Sequence, residues 1–187
     1  MSTHRSVRST FVALTALVML GCGSAPSAIV TTPAPGPGEF GRALAGAEAA
    51  THIATFDALD FEVFSHQDWT RLHESHAHDI IVSWPDGHDT VGIDTHIHDL
   101  QQLFVHAPDT AITIHPVRIA SGDWTAVTGI MTGTFTQPMP TPDGGSIPPT
   151  GRSFSLPMAT IAHWTNGTMD HEWLYWDNQT YMHQLGL

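Results

Sequence analysis

The chain has 187 residues, enough for one ordinary domain with a sizeable core. It carries 6 Arg and no Lys against 18 acids, a net charge of −12, which excludes the basic face that nucleic acids require and electrostatic docking on an anionic membrane. The 14 His are the compositional outlier, and protonating them near pH 6 would remove most of the net negative charge.

Residues 1–8 carry Arg5 and Arg8, and residues 11–20 form an apolar run, FVALTALVML, that leads into Gly21-Cys22. A positive start, a short apolar centre and a small residue before the cut predict a secretory signal peptide over residues 1–21. The run is too short to span a bilayer as a permanent helix. Gly21-Cys22 resembles a bacterial lipoprotein lipobox, with Met19 where Leu is usual. That resemblance implies lipidation of Cys22, export, and anchoring of the protein to the cell envelope through its acyl chains. Cys22 is the chain's single cysteine, so no intramolecular disulfide is possible. Residues 22–44 are rich in Pro, Gly and Ser and read as a tether. The folded domain is expected over residues 45–187.

Within that domain Ile53, Phe56 and Leu59 have helical spacing, predicting a helix over residues 45–59. A second helix is expected after Ser65, a plausible N-cap, and would include Trp69 and Leu72. Residues 79–84 read as a strand closed by the Pro85-Asp86-Gly87 turn. Residues 92–106 give the clearest helix: Ile93, Ile97, Leu100 and Phe104 share a stripe, His96 flanks it and His98 points away. Strands are expected over residues 110–119 and 124–136, joined at Ser121-Gly122-Asp123. The stretch 137–152, rich in Pro and Gly, exceeds ordinary connection lengths and reads as a lid or a dimer-contact arm. Two strand-like runs then flank Asn166-Gly167, a strong hairpin signal, and Asp177 is placed to cap a short terminal helix. Helices followed by a run of antiparallel strands predict an α+β domain, with the helices laid on one face of a curved sheet.

This element order, with VGIDTHIHDLQQLF, the APDTAI step, GTF, PTGRSF and the terminal NGTMDHEWLYWDNQTYMHQLGL, resembles the SnoaL-like polyketide cyclase group, also called ester cyclases. That group belongs to the nuclear transport factor two-like superfamily. The resemblance covers residues 45–187. It implies a cone-shaped curved antiparallel sheet around an apolar pocket, often in a homodimer, and ring closure of a polyketide without metal or cofactor. The implied acid/base is a pocket Asp helped by a His. Aligned on Gly167 and the closing Gln184-Leu185-Gly186, the Asp position falls on Leu174 and the His position on Thr160. Neither group is retained, so the cyclase mechanism has no base at its usual place.

Two hairpin registers are open. A two-residue Asn166-Gly167 loop pairs Thr165 with Thr168. A three-residue loop pairs Trp164 with Thr168, placing Thr160 opposite Glu172, Met158 opposite Leu174 and Pro157 opposite Tyr175. The second register keeps the family's two catalytic positions on one face and is the one expected. Thr160, Glu172, Leu174 and Trp176 then line the pocket face, and His163, His171, Trp173, Tyr175 and Asp177 the other. Glu172 becomes the candidate catalytic residue, because a carboxyl in an apolar pocket has its pKa raised and can serve as acid or base near neutrality. Trp84 and His96 join Thr160, Leu174 and Trp176 as candidate substrate-binding residues. His73 and His76 could share a helix face, but His96 and His98 diverge, and no H-E-x-x-H motif or Cys pair is present. Neither a metal nor a cofactor is therefore expected.

Two functions follow from these residues. One is a cofactor-free enzyme acting by proton transfer on a small, mostly apolar carbonyl or ester compound. The other is a non-catalytic module that binds a small apolar molecule at the envelope.

Overall fold

The computed structural model describes residues 37–187, with side chains from residue 46 onward. The signal peptide and the lipidation expected at Cys22 lie outside the described residues.

The first helix, α1 (Pro37–Ala58), starts before the expected residue 45. Pro is tolerated in a helix's first turn, and the Ala- and Glu-rich sequence after it favours helix. Ala49, His52 and Phe56 recur at helical spacing and are buried. The helix then widens into a π-helical turn, Leu59–Phe64, in which the Ser65 N–H reaches the Asp60 carbonyl at 3.2 Å. Ser65 does not cap a second helix as expected. Its hydroxyl donates to the Asp60 carbonyl (2.6 Å) and accepts from the Ile112 N–H (2.9 Å), stitching the π turn to the sheet. A 3₁₀ helix over Trp69–Glu74 buries Leu72.

The sheet begins with β1 (His76–Ser83) and β2 (Asp89–Val91). Gly92, at φ 95°, opens α2 (Ile93–His106), and its N–H bonds the Ile80 carbonyl at 2.8 Å. A side chain at that φ would be strained, so glycine fixes where the helix leaves the sheet. The strand expected over 110–119 is broken into β3 (Ala111–Ile112) and β4 (Val117–Ser121). Between them His115 turns inward to a buried position and Pro116 removes a ladder donor. After β5 (Trp124–Thr134), the 137–152 stretch contains a small hairpin, β6 (Met139–Pro140) and β7 (Ser146–Ile147). The chain closes with β8 (Ser153–Thr165), β9 (Thr168–Trp176) and α3 (Asn178–Leu185). Asp177 caps α3 as expected, accepting from the Gln179 and Thr180 N–H groups.

The main sheet runs β2-β1-β9-β8-β5, with β3 and β4 both pairing with β5. All pairs are antiparallel except β1 with β9. Alternate residues of β8 (Phe154, Leu156, Thr160, Ala162, Trp164) and β5 (Thr125, Val127, Met131) point inward. There they form one core with Phe56 and Phe64 below and Leu100 and Phe104 of α2. Trp164 is buried, stacks on His52 at 4.6 Å and donates its indole N–H to the Thr125 hydroxyl at 2.9 Å. The fold is the expected α+β arrangement.

The closing hairpin corrects the expected register. Asn166 and Gly167 both have positive φ, at 54° and 86°, so the loop has two residues in the primed geometry that matches strand twist. Thr165 pairs with Thr168 and Trp164 with Met169. Then Asp170 bulges out: His163 pairs with His171, Ala162 with Glu172, Thr160 with Leu174 and Met158 with Trp176. Thr160 does not face Glu172, and Tyr175 lies opposite Ala159 rather than Pro157. The bulge adds one residue to a register one step from the expected one, so the total slip is two residues and side-chain parity is unchanged. Thr160, Glu172, Leu174 and Trp176 accordingly share the inner face, by a route the turn alone does not provide. Asp170 is held in the bulge by His163 Nδ1 (2.7 Å) and the Thr165 hydroxyl (2.6 Å).

Candidate functional site

A pocket opens between the inner face of the sheet, the π turn and α2. The room it leaves for the centre of a water-sized sphere is about 40 Å³, within about 430 Å³ of atom-free space that includes its open mouth. Its walls are mainly apolar: Leu59, Phe64, Leu100, Leu103, Ile112, Met131, Met158, Leu174 and Trp176. Five polar side chains interrupt them, namely Asp60, His76, His96, Thr160 and Glu172, and among the described residues no Arg lines the pocket. Of the expected site residues, Glu172, His96, Thr160, Leu174 and Trp176 come together here. Trp84 does not line the pocket. It sits one ring behind it, 5.8 Å from His96 and 6.2 Å from Trp176 between ring centres, with its indole N–H on the Thr90 hydroxyl at 3.0 Å.

Glu172 is 4 % exposed. Its Oε2 lies 3.4 Å from His96 Nε2 and 3.6 Å from His76 Nε2, both longer than a hydrogen bond. Oε2 has no hydrogen-bond partner, and neither do His76 Nε2 and His96 Nδ1. Leaving buried polar atoms unmatched costs on the order of 1–3 kcal/mol each, so such atoms call for an explanation. The expected rise in the Glu172 pKa is not what the surroundings produce. Burial pushes the carboxyl up, but the His76 imidazole beside it, and then His96, outweigh burial and hold it below its ordinary range. At neutral pH Glu172 is therefore an ionised base rather than a protonated acid. Burial pushes the His96 imidazole down to about 4 against the attraction of Glu172, so it is neutral at pH 7.

His76 was legible only as one of a His-rich run. The structure separates that run: His73 and His78 are exposed, and His76 opens β1 and is buried. His73 and His76 thus share no helix face, because the 3₁₀ helix ends at Glu74 and the chain turns into the sheet. His98 points away from the pocket as expected and is exposed. His76, His96 and Glu172 are the one set of three His, Cys, Asp or Glu side chains among the described residues whose ligand atoms could hold a metal, lying within 4.8 Å of one another.

Asp60, on the π turn, was missed by the sequence reading. It belongs to a second cluster behind the pocket wall. His115 bridges two carboxylates, with Nε2 2.8 Å from Asp60 and Nδ1 2.6 Å from Asp57, and Arg118 donates to Asp57 at 2.9 Å. Burial pulls the His115 imidazole down, but its bonds to Asp60 and Asp57 outweigh this and raise it above its ordinary value. Burial raises the Asp60 carboxyl, and the bond from His115 only partly offsets the rise. A π turn breaks the 3.6-residue pattern, so periodicity gave no signal for Asp60.

Solved structures show the same fold at low identity. IdmH from Streptomyces antibioticus, a polyketide cyclase candidate, is 23 % identical with a TM-score of 0.62, covering 73 % of this chain and 99 % of its own. A SnoaL-like polyketide cyclase candidate from Jannaschia sp. is 19 % identical with a TM-score of 0.65, covering 73 % and 92 %. A protein of ketosteroid isomerase-like fold from Catenulispora acidiphila, in complex with trimethylamine, is 14 % identical with a TM-score of 0.56, covering 73 % and 92 %. No curated protein sequence matches the chain. The helices and the curved sheet thus agree with a family match over residues 56–185, more than half of the chain, and the chain belongs to the SnoaL-like polyketide cyclases.

Proposed function

We propose that this pocket transfers protons on a small, mostly apolar carbonyl or ester compound, with Glu172 as the base and without a cofactor. One observation carries the reading: a fully buried carboxylate whose Oε2 has no hydrogen-bond partner lines a pocket of apolar side chains. Such a carboxylate is ionised at neutral pH and keeps an oxygen without a hydrogen bond, so it can take a proton from a bound compound. The step breaks a C–H bond next to the carbonyl. The proton goes to Glu172, and the electron pair moves onto the carbonyl oxygen, which the Thr160 hydroxyl can stabilise by donating a hydrogen bond. Return of the proton at another carbon is an isomerisation. Attack of the enolate carbon on a second carbonyl, whose oxygen takes the electron pair and then the proton from Glu172, is a ring closure.

Exchange of such protons in D₂O, followed by NMR over a panel of small ketones, β-keto esters and lactones, tests this without knowledge of the natural substrate. The parent should speed exchange for part of the panel, and Glu172→Gln should lose at least about 100-fold of that rate. Equal rates in both would remove Glu172 from the mechanism. The alternative, a binding module, draws on Leu174 and Thr160 standing where the family's Asp and His are expected. Absence of exchange, together with an apolar molecule co-purifying in mass spectrometry, would favour it.

The proposal includes export and anchoring through Cys22, for which Cys22→Ala should abolish detergent partitioning. It also includes a homodimer, which sedimentation at micromolar concentration would detect.

A further inference from the structure

We infer that His76 Nε2, His96 Nε2 and Glu172 Oε2 form a binding site for a divalent first-row metal ion of the zinc type. The occupancy rests on geometry alone. Its consequence, that a bound ion silences Glu172, rests on the proton-transfer reading.

The Ser75 hydroxyl donates to the Leu72 carbonyl at 3.2 Å and lies 2.9 Å from His76 Nδ1. Nδ1 is also 3.3 Å from the Leu72 carbonyl. The assignment that satisfies all three groups puts the proton on Nδ1, donating to the Ser75 oxygen and the carbonyl. Nε2 then carries a lone pair. A backbone carbonyl that fixes the imidazole in this tautomer is the usual outer support of a metal-bound His. That lone pair stands 3.6 Å from the Glu172 carboxylate, so in this tautomer His76 gives Glu172 no proton and no longer holds its carboxyl down; an ion between them would. A proton between them would draw the atoms to hydrogen-bond distance, which they do not reach.

The distances suit an ion instead. Metal–ligand bonds of about 2.0–2.2 Å in tetrahedral geometry put neighbouring ligand atoms about 3.3–3.6 Å apart. The two nitrogens stand 3.6 and 3.4 Å from Oε2 and within 4.8 Å of each other, so side-chain rotation by a fraction of an ångström to about an ångström closes the set around an ion. Two imidazoles and one carboxylate suit zinc and its neighbours and are too poor in oxygen for calcium or magnesium. Three protein ligands leave a fourth position, and the site lies at the wall of the pocket, where water or a ligand oxygen could take it. Charge agrees with this: Asp60 lines the same pocket, no Arg does, and the chain has no Lys. All three side chains are at least nine-tenths buried, which sets this site apart from exposed His that bind metals loosely.

An ion on Oε2 occupies the lone pair that the proposed proton transfer needs. Metal binding and general-base chemistry are then exclusive uses of one carboxylate, and free zinc regulates the site.

The test uses the untagged protein, stripped with a chelator and titrated with Zn²⁺ by calorimetry, and with Co²⁺ by visible absorption. The expected result is one site per chain with a Kd at or below micromolar, and a Co²⁺ spectrum of four-coordinate type. Glu172→Gln and His96→Gln should each weaken it by on the order of 100-fold or more, since loss of outer-shell support alone costs 10–100-fold. His73→Gln and His78→Gln should leave it unchanged. A melting curve confirms that each variant is folded, and Co²⁺ absorption in Glu172→Asp, which keeps the carboxylate, guards against misfolding in the others. No site tighter than millimolar, or a site untouched by Glu172→Gln, overturns the inference. In the exchange assay the metal-free parent should be active and one equivalent of Zn²⁺ should suppress it. Zinc binding with no exchange activity in the metal-free form would sink the proton-transfer reading and leave the metal site standing. Exchange without zinc binding would do the reverse.

Discussion

Two buried His–carboxylate clusters reach the same pocket, one through Glu172 and the other through Asp60, and they are built differently. Around His115 every contact is short: 2.6 Å to Asp57, 2.8 Å to Asp60, and 2.9 Å from Arg118 to Asp57. Around Glu172 the imidazoles stand off at 3.4 and 3.6 Å, and three polar atoms have no partner. The first cluster joins α1 and the π turn to the β3–β4 connection and is complete within the fold. The second spends stability on unmatched atoms, as a site does when its chemistry is directed at something other than the protein. Both contain buried carboxylates and His, so burial and residue type do not separate them. Hydrogen-bond completeness does.

Stability should break or sharpen that contrast most strongly. His115→Ala leaves Asp60 and Asp57 without their shared partner and should cost about 3–5 kcal/mol in urea unfolding. Glu172→Gln keeps the shape and removes a charge whose burial and attraction to His76 and His96 oppose one another, so it should change stability by no more than about 1 kcal/mol in either direction. Similar losses in both would erase the distinction.

Next in size is the support for the bulge that aims Glu172 inward. Asp170→Ala removes the bonds to His163 and Thr165 and should cost about 1–2 kcal/mol in the same assay. If register fails with it, Glu172 turns to the outer face, and pocket-dependent activity should fall further than stability does.

The smallest effect is the pH dependence of the closed cluster. The folded pKa of His115 lies above its ordinary 6.5, so its contribution is fully present below that value and is lost as pH rises through the folded pKa. Asp57, Asp60 and Arg118 are the charged groups facing it. The stability gap between the parent and His115→Gln should therefore narrow on going from pH 6 to pH 9. A gap that widens over that range would mean that His115 is not held as the cation.

Much of the fold was legible in the sequence, because α2, β5, β8 and β9 carry strong periodicity and their turns carry Gly or Asn-Gly. The inner-face residues Thr160, Glu172, Leu174 and Trp176 were also legible, although through a register that was itself off. Two single-residue slips in the same direction, a shorter turn and the Asp170 bulge, add to two residues and left the parity unchanged. What could not be read were the features that depend on long-range packing. The π turn carrying Asp60 has no periodic signature. His76 sits where a 3₁₀ helix becomes a strand, and local propensity placed it on a helix instead. The inward turn of His115 needs the Asp57–Asp60 pair on a segment more than fifty residues earlier in the chain.

The most direct measurement of the central claim compares proton exchange in Glu172→Gln and His115→Gln, both metal-free and at matched folded fraction. If the open cluster carries the chemistry and the closed one the architecture, Glu172→Gln loses the rate while His115→Gln stays within about threefold of the parent. An active Glu172→Gln beside an inactive His115→Gln would contradict the account and move the chemistry to the other cluster.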